Sequence, residues 1–198
     1  KIESDTDHYE DILGTYLTKL SRYQVGEDDS AQVTKLLKAI GDFERISDHS
    51  VNVLESAEEL RTKRIAFSAE AQRELSVLCE ALSEVLDMTL TAFARGDAEA
   101  AYDVEPLEQV VDGLKNALRD SHIVRLKNGN CTVEAGFVWA DLLTNLERTS
   151  DHCSNIAVCL LDAERHDMNA HESMRAIKGD NEAFLKKYRE YAEKYSLV

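Results

Sequence analysis

Phe43 to Asn52 reads FERISDHSVN, and Leu146 to Asn155 reads LERTSDHCSN. Six of the ten positions are identical: the Glu, Arg, Ser, Asp, His and Asn. The copies lie 103 residues apart in a chain of 198. A repeat at that distance means one module written twice, and each module carries the same polar cluster.

Around both copies, apolar residues recur at helical spacing and no strand alternation is visible. One proline and eight glycines leave few breakers. The spacing predicts six helices. The first runs from about Glu3 to Tyr23, with Ile2, Tyr9, Ile12, Leu13, Tyr16, Leu17 and Leu20 on one side. After a turn over Gly26 to Ser30, Asp29 or Ser30 is the expected cap of a second helix running from Val33 through Leu54. The third starts near Ser68 and ends at Arg95-Gly96-Asp97. The fourth spans about Asp97 to Leu126, and Pro106 predicts a kink or a late start. Thr132 is the expected cap of the fifth, which passes through Phe137, Trp139 and Leu161. The sixth covers about Asn169 to Tyr195, with a break near Gly179-Asp180. The expected fold is all-α: two tandem antiparallel three-helix bundles, residues 1–96 and 97–198.

The formal charge is −15, which repels phosphate backbones and excludes nucleic acid as a natural partner. The longest unbroken apolar run, Ile156 to Leu161, is far short of the roughly 20 residues that span a bilayer. Cys79, Cys131, Cys153 and Cys159 form no C-x-x-C pair and read as reduced core thiols in a cytosolic setting, all but Cys131 within apolar helical patterns. A start at Lys1 with helical pattern almost at once suggests a piece of a longer protein.

At 100° per residue, Glu44 falls inside the apolar stripe of the second helix, Asp48 at its edge, Asn52 further along the line, and Arg45 just outside. Glu147, Asp151, Asn155 and Arg148 repeat the arrangement on the fifth helix. A carboxylate on a core-facing stripe costs free energy unless a cation compensates it. That cation is either a lysine or arginine of a neighbouring helix or a bound metal. Carboxylates at i and i+4 repel, and a metal between them removes the repulsion. Oxygen donors suit magnesium, manganese, calcium or iron. Acidic pairs on the first helix of each repeat, Asp7 with Asp11 and Glu108 with Asp112, are candidate completing ligands. The wheel places both pairs opposite their apolar stripes, so a cluster is expected only in an open groove. A solvated acidic face explains these pairs equally well. His49 and His152 point away from the acids and are expected to hydrogen-bond a neighbouring helix or face solvent. Arg45 and Arg148 are alternative salt-bridge partners within the motif.

ERxxDHxxN, twice in a helical chain and preceded by DHYED and EQVVD, resembles the PhoU family, whose E(D)-x-x-x-D motif recurs on paired helices. Ser47 and Ser150 stand where that family frequently has glycine. The resemblance implies a PhoU-like fold and a phosphate-linked regulator. It also implies bound metal clusters of iron or zinc, or magnesium and manganese. The stretch HIVRLKNGNCTVEAGFVWADLLTNLERTSDHCSNIA and the K-Y-x-x-Y run at Lys187, Tyr188 and Tyr191 look closest to the C-terminal domain of bacterial sodium/phosphate cotransporters. That implies a cytoplasmic domain tethered through an N-terminal transporter region, with phosphate and a second copy of the chain as candidate partners. A stand-alone phosphate-signalling adaptor and a metal-free helical scaffold are the alternatives. No catalytic residue is expected. Di-iron bundle oxidases use Glu-x-x-His pairs, and no glutamate here has a histidine three residues later.

Overall fold

A computed structural model describes residues 2–23, 26–165 and 182–197. Its elements are α1 (Ile2–Leu20), α2 (Glu27–Lys63), α3 (Ala69–Arg95), α4 (Ala98–Ala101), α5 (Val104–Lys127), α6 (Val133–Arg165) and α7 (Glu182–Lys194). The all-α reading holds, with no strand among the described residues. Most helix ends follow local chemistry. Ser68 accepts from the Ala71 N–H at the start of α3, and Gly96 ends that helix in the left-handed region at φ 63°. Asp97 caps the short α4 and Thr132 caps α6. Pro106 sits in the first turn of α5, where no intrahelical N–H is needed, so the late start is what occurs.

Two expectations need correction. The cap of α2 is neither Asp29 nor Ser30: the helix starts at Glu27 with Gly26 as N-cap and no side-chain cap bond. Cys79 is exposed rather than a core thiol, whereas Cys153 is buried and its thiol is pushed up to about 12 by that burial. Of the sixth expected helix, α7 is the described part; the expected break at Gly179-Asp180 lies outside the described residues.

The longest helices, α2 and α6, pack against each other. At 37 residues α2 is about 55 Å long. They run antiparallel, because Asp42 meets His152 and Asn155 while Asn145 meets His49 and Asn52. Against this seam α1 packs on α2 and α5 packs on α6. Then the symmetry breaks. α3 packs on α5 and α6, and α7 on α5. The core accordingly sits in the α3–α5–α6 layer around Leu78, Val85, Leu107, Leu118, Trp139 and Ile156.

The apolar stripe expected to bury α1 is mostly in the open, and only Leu17 of it is buried. Val110 and Leu114 on α5 are 5% and 6% exposed, but their counterparts Tyr9 and Leu13 on α1 are 63% and 43% exposed. Likewise Trp139 is 1% exposed, whereas its counterpart Leu36 is 41% exposed. The physical reason is the placement of α3, which covers the second repeat and leaves the same positions of the first uncovered.

One corner of the core is tight. His122 stacks near Trp139 at 6.0 Å between ring centroids, and a Cβ at Gly136 would meet its Nε2 at 2.8 Å. Burial, and then the Arg125 guanidinium, hold the His122 imidazole below its usual value. A depressed folded-state value means that the unfolded chain binds the extra proton first. This histidine therefore contributes stability above the ordinary histidine range that is lost as pH falls below about 6.5. Melting wild type and His122→Gln from pH 7.5 to 5.5 should show the wild type losing more. Parallel curves would refute it.

Candidate carboxylate centres

The repeated motif divides by direction, because neighbouring residues on a helix point about 100° apart. Glu44 and Asp48 turn toward α1, and Glu147 and Asp151 turn toward α5. His49, Asn52, His152 and Asn155 turn toward the other repeat.

That second set forms a reciprocal clasp. His49 Nδ1 lies 2.9 Å from Asn145 Oδ1, and Asn52 Nδ2 donates to the same oxygen at 3.0 Å. His152 Nδ1 lies 2.8 Å from Asp42 Oδ1, which also accepts from Asn155 Nδ2 at 3.2 Å. The two imidazoles stack at 5.5 Å between centroids. Asn145 Nδ2 donates to the Asp141 carbonyl at 2.8 Å, which turns its oxygen outward as the acceptor. So the histidines bond the neighbouring helix, one of the two roles expected of them. Asp42 and Asn145 were missed; they are equivalent positions at the repeat distance, but the residue type differs.

In the first repeat, carboxylate oxygens of Glu3, Asp7 and Asp48 all lie within 4.8 Å of one another. Oxygens on opposite sides of an ion are separated by roughly twice a metal–oxygen bond of about 2.1–2.4 Å, so the spacing suits a hard cation. Glu44 borders this group. Burial first, then the charge of Asp48, raise its carboxyl above the usual range, with Asp7 adding to the effect and Arg45 opposing it. Carboxylates this close repel one another, and a cation between them removes the repulsion. Asp11 is not among the converging acids. It lines shallow surface grooves with Thr15 and Lys19.

The second repeat is built differently. Asp151 is raised by burial and then by the charge of Glu147, with Arg148 opposing. Glu108 is buried, contrary to its expected position opposite the apolar stripe. The cause is that α5 packs against α3, α6 and α7 together, so its first turn has no outward face: Val104 through Glu108 are all buried. Glu105, also missed, accepts a short hydrogen bond from Ser154. Lys115 reaches across from α5 to Glu147 Oε1 at 3.0 Å and lies 3.6 Å from Asp112. Arg45 and Arg148 pair within their own motifs, but their side chains are 62% and 59% exposed, so those pairs contribute little.

The family model described as the PhoU domain matches residues 1–57 and 75–160. The chain belongs to the PhoU family. Among PhoU relatives, the phosphate-specific transport system accessory protein PhoU homolog 1 of Thermotoga maritima is 26% identical over 163 residues, covering 82% of this chain and 69% of that protein. The PhoU homolog of Pseudomonas aeruginosa is 29% identical over 140 residues, 70% of this chain and 56% of its own length. A protein of Escherichia coli K12 provisionally named inorganic phosphate export protein YjbB is 22% identical over 169 residues; the chain spans only 31% of it. The crystal structure of PhoU from Pseudomonas aeruginosa superposes with a TM-score of 0.67 at 22% identity, over 83% of this chain and 82% of that one. It shares the fold. Among the described residues no helix is long and apolar enough to cross a membrane.

Proposed function

We propose that this PhoU-family chain is a metal-binding accessory domain that regulates phosphate transport. The observation that carries the reading is the repeated carboxyl pair. In each copy the ERxSD acids face acids of the packed helix: Asp48 converges with Glu3 and Asp7 within 4.8 Å, and Glu147 shares the Lys115 ammonium with Asp112. The first arrangement holds more negative charge than its one motif cation neutralises, because Arg45 is mostly solvated.

Glu44, Asp48 and Asp7, with Glu3 beside them, are the candidate metal holders of the first repeat. Glu147, Asp151, Glu108 and Asp112 are those of the second. An all-oxygen donor set favours magnesium, manganese or iron over thiolate-type zinc sites. When bound, the ion supplies positive charge and open positions for phosphate oxygens. The protein's part is to hold the acids in register and to present the cluster at the α1–α2 surface. Occupancy then shifts how the domain docks on its transporter. The role is regulatory and assigns no catalytic residue.

Metal content after purification without chelator tests this. Wild type should carry metal that Glu44→Ala/Glu147→Ala lacks; equal content in both proteins would sink the reading.

The names of the Thermotoga and Pseudomonas relatives favour an accessory protein that is separate from its transporter. A second reading attaches the domain to a membrane transporter of the same chain, on the cytoplasmic side. The match to under a third of YjbB supports it, since there the similar region lies within a much longer protein. Hydrophobic spans encoded upstream of Lys1 decide between the two.

A further inference from the structure

The two carboxylate centres are not equivalent, and one residue accounts for the difference. Asp7 and Asp11 align with Glu108 and Asp112 at an offset of 101, and the flanking Leu13 and Leu17 align with Leu114 and Leu118. That register places Gly14 opposite Lys115. Lys115 Nζ is 3.0 Å from Glu147 and 3.6 Å from Asp112, and the side chains of Lys115 and Glu147 are only 23% and 13% exposed. A half-buried ammonium between two carboxylates offsets their charge as a divalent ion would, but from within the chain.

At Gly14 no such group exists, and a Cβ there would meet nothing within 4 Å. The remaining basic side chain of the first motif, Arg45, is mostly solvated. Correspondingly, only in the first repeat, among the described residues, do three carboxylates bring their oxygens within 4.8 Å of one another. In the second repeat Lys115 draws Glu147 and Asp112 to itself.

We propose that Lys115 is the built-in counter-ion of the second repeat. The first repeat therefore takes a metal ion, while the second is already satisfied and admits one only when Lys115 is removed. This rests on the metal reading given above, and it adds an inequality that the repeated motif conceals. It also predicts that a lysine installed at Gly14 would close the first centre in the same way.

Two measurements test it, and they fail separately. In excess EDTA, Lys115→Met and Glu147→Gln should each lower the melting temperature by about 3–6 °C. The double variant should melt no lower than the worse single one, because each substitution strands the other partner. Additive losses would overturn the counter-ion. With the Mn2+ ion as probe, counted by electron paramagnetic resonance, binding to wild type should vanish in Glu44→Ala and in Gly14→Lys but persist in Glu147→Ala. Lys115→Met should roughly double the Mn2+ bound, and adding Glu147→Ala should erase the gain. If Glu147→Ala empties the wild type as Glu44→Ala does, or if Lys115→Met gains nothing, the inequality is wrong. Should no variant bind Mn2+ while the melting cycle stays coupled, the metal reading falls and the counter-ion stands.

Discussion

Trp139→Ala should lower the free energy of unfolding by about 3–5 kcal/mol. The chain has one tryptophan, and it is almost fully buried. Its Nε1–H donates to the Leu118 carbonyl at 3.4 Å, and Phe67 meets it edge-on at 4.8 Å. Arg125, itself buried, lies 5.6 Å from the ring centroid. Truncation therefore removes apolar burial, loses the indole hydrogen bond, and strips a buried guanidinium of its aromatic face. At about 2–4 °C per kcal/mol for a chain of this size, the melting point should fall by roughly 10 °C. Urea unfolding followed by circular dichroism is the measurement, since the fluorophore is lost with the mutation. A loss under about 1 kcal/mol would mean that the α3–α5–α6 layer closes over the gap.

Asp42→Ala should cost about 2–3 kcal/mol, although Asp42 lies outside the repeated motif. One carboxylate oxygen accepts from both His152 and Asn155, and its side chain is 14% exposed. Alanine leaves two donors unmatched at the seam between repeats. Asp42→Asn is the informative control. Asn145 already does the same job for His49 and Asn52, so an amide at position 42 should cost less than about 1 kcal/mol. If asparagine proves as damaging as alanine, the negative charge matters at this position and not only the acceptor geometry.

Much of the architecture was legible because helices announce themselves locally. Ser68, Gly96, Pro106 and Thr132 act on their own neighbours in sequence, so their effects could be read without the fold. The cap of α2 was harder, since several residues near Gly26 could serve.

The wheel failed where burial depends on partners. Glu44, Asp48, Glu147 and Asp151 stand out as candidates because their helices each carry one apolar stripe. The stripe of α1 promised a covered face, but nothing in its own residues says that α3 goes to the other repeat. The position of Glu108 on its wheel suggested solvent, but a helix with neighbours on three sides buries its polar face too. Lys115 had a signal that was not used. It follows Glu108 and Asp112 at helical spacing, and its counterpart is a glycine, so comparing the repeats position by position would have exposed it. Glu3 had none, because its counterpart in the second repeat is the apolar Val104.

The clasp across α2 and α6 has a consequence for how the chain reaches this structure. Its hydrogen bonds join residues 93 to 113 positions apart. Helices usually fold early through local contacts, whereas pairings this distant must wait for a long loop to close. On the ribosome α2 cannot find its partner until α6 has emerged, about half a chain length later. During that interval the apolar side of α2 has α1 and the ring contact of Phe43 with Phe93 on α3 to shelter it. The seam should therefore form late in folding and carry low φ-values, so substitutions at Asp42 or Asn145 should speed unfolding far more than they slow folding.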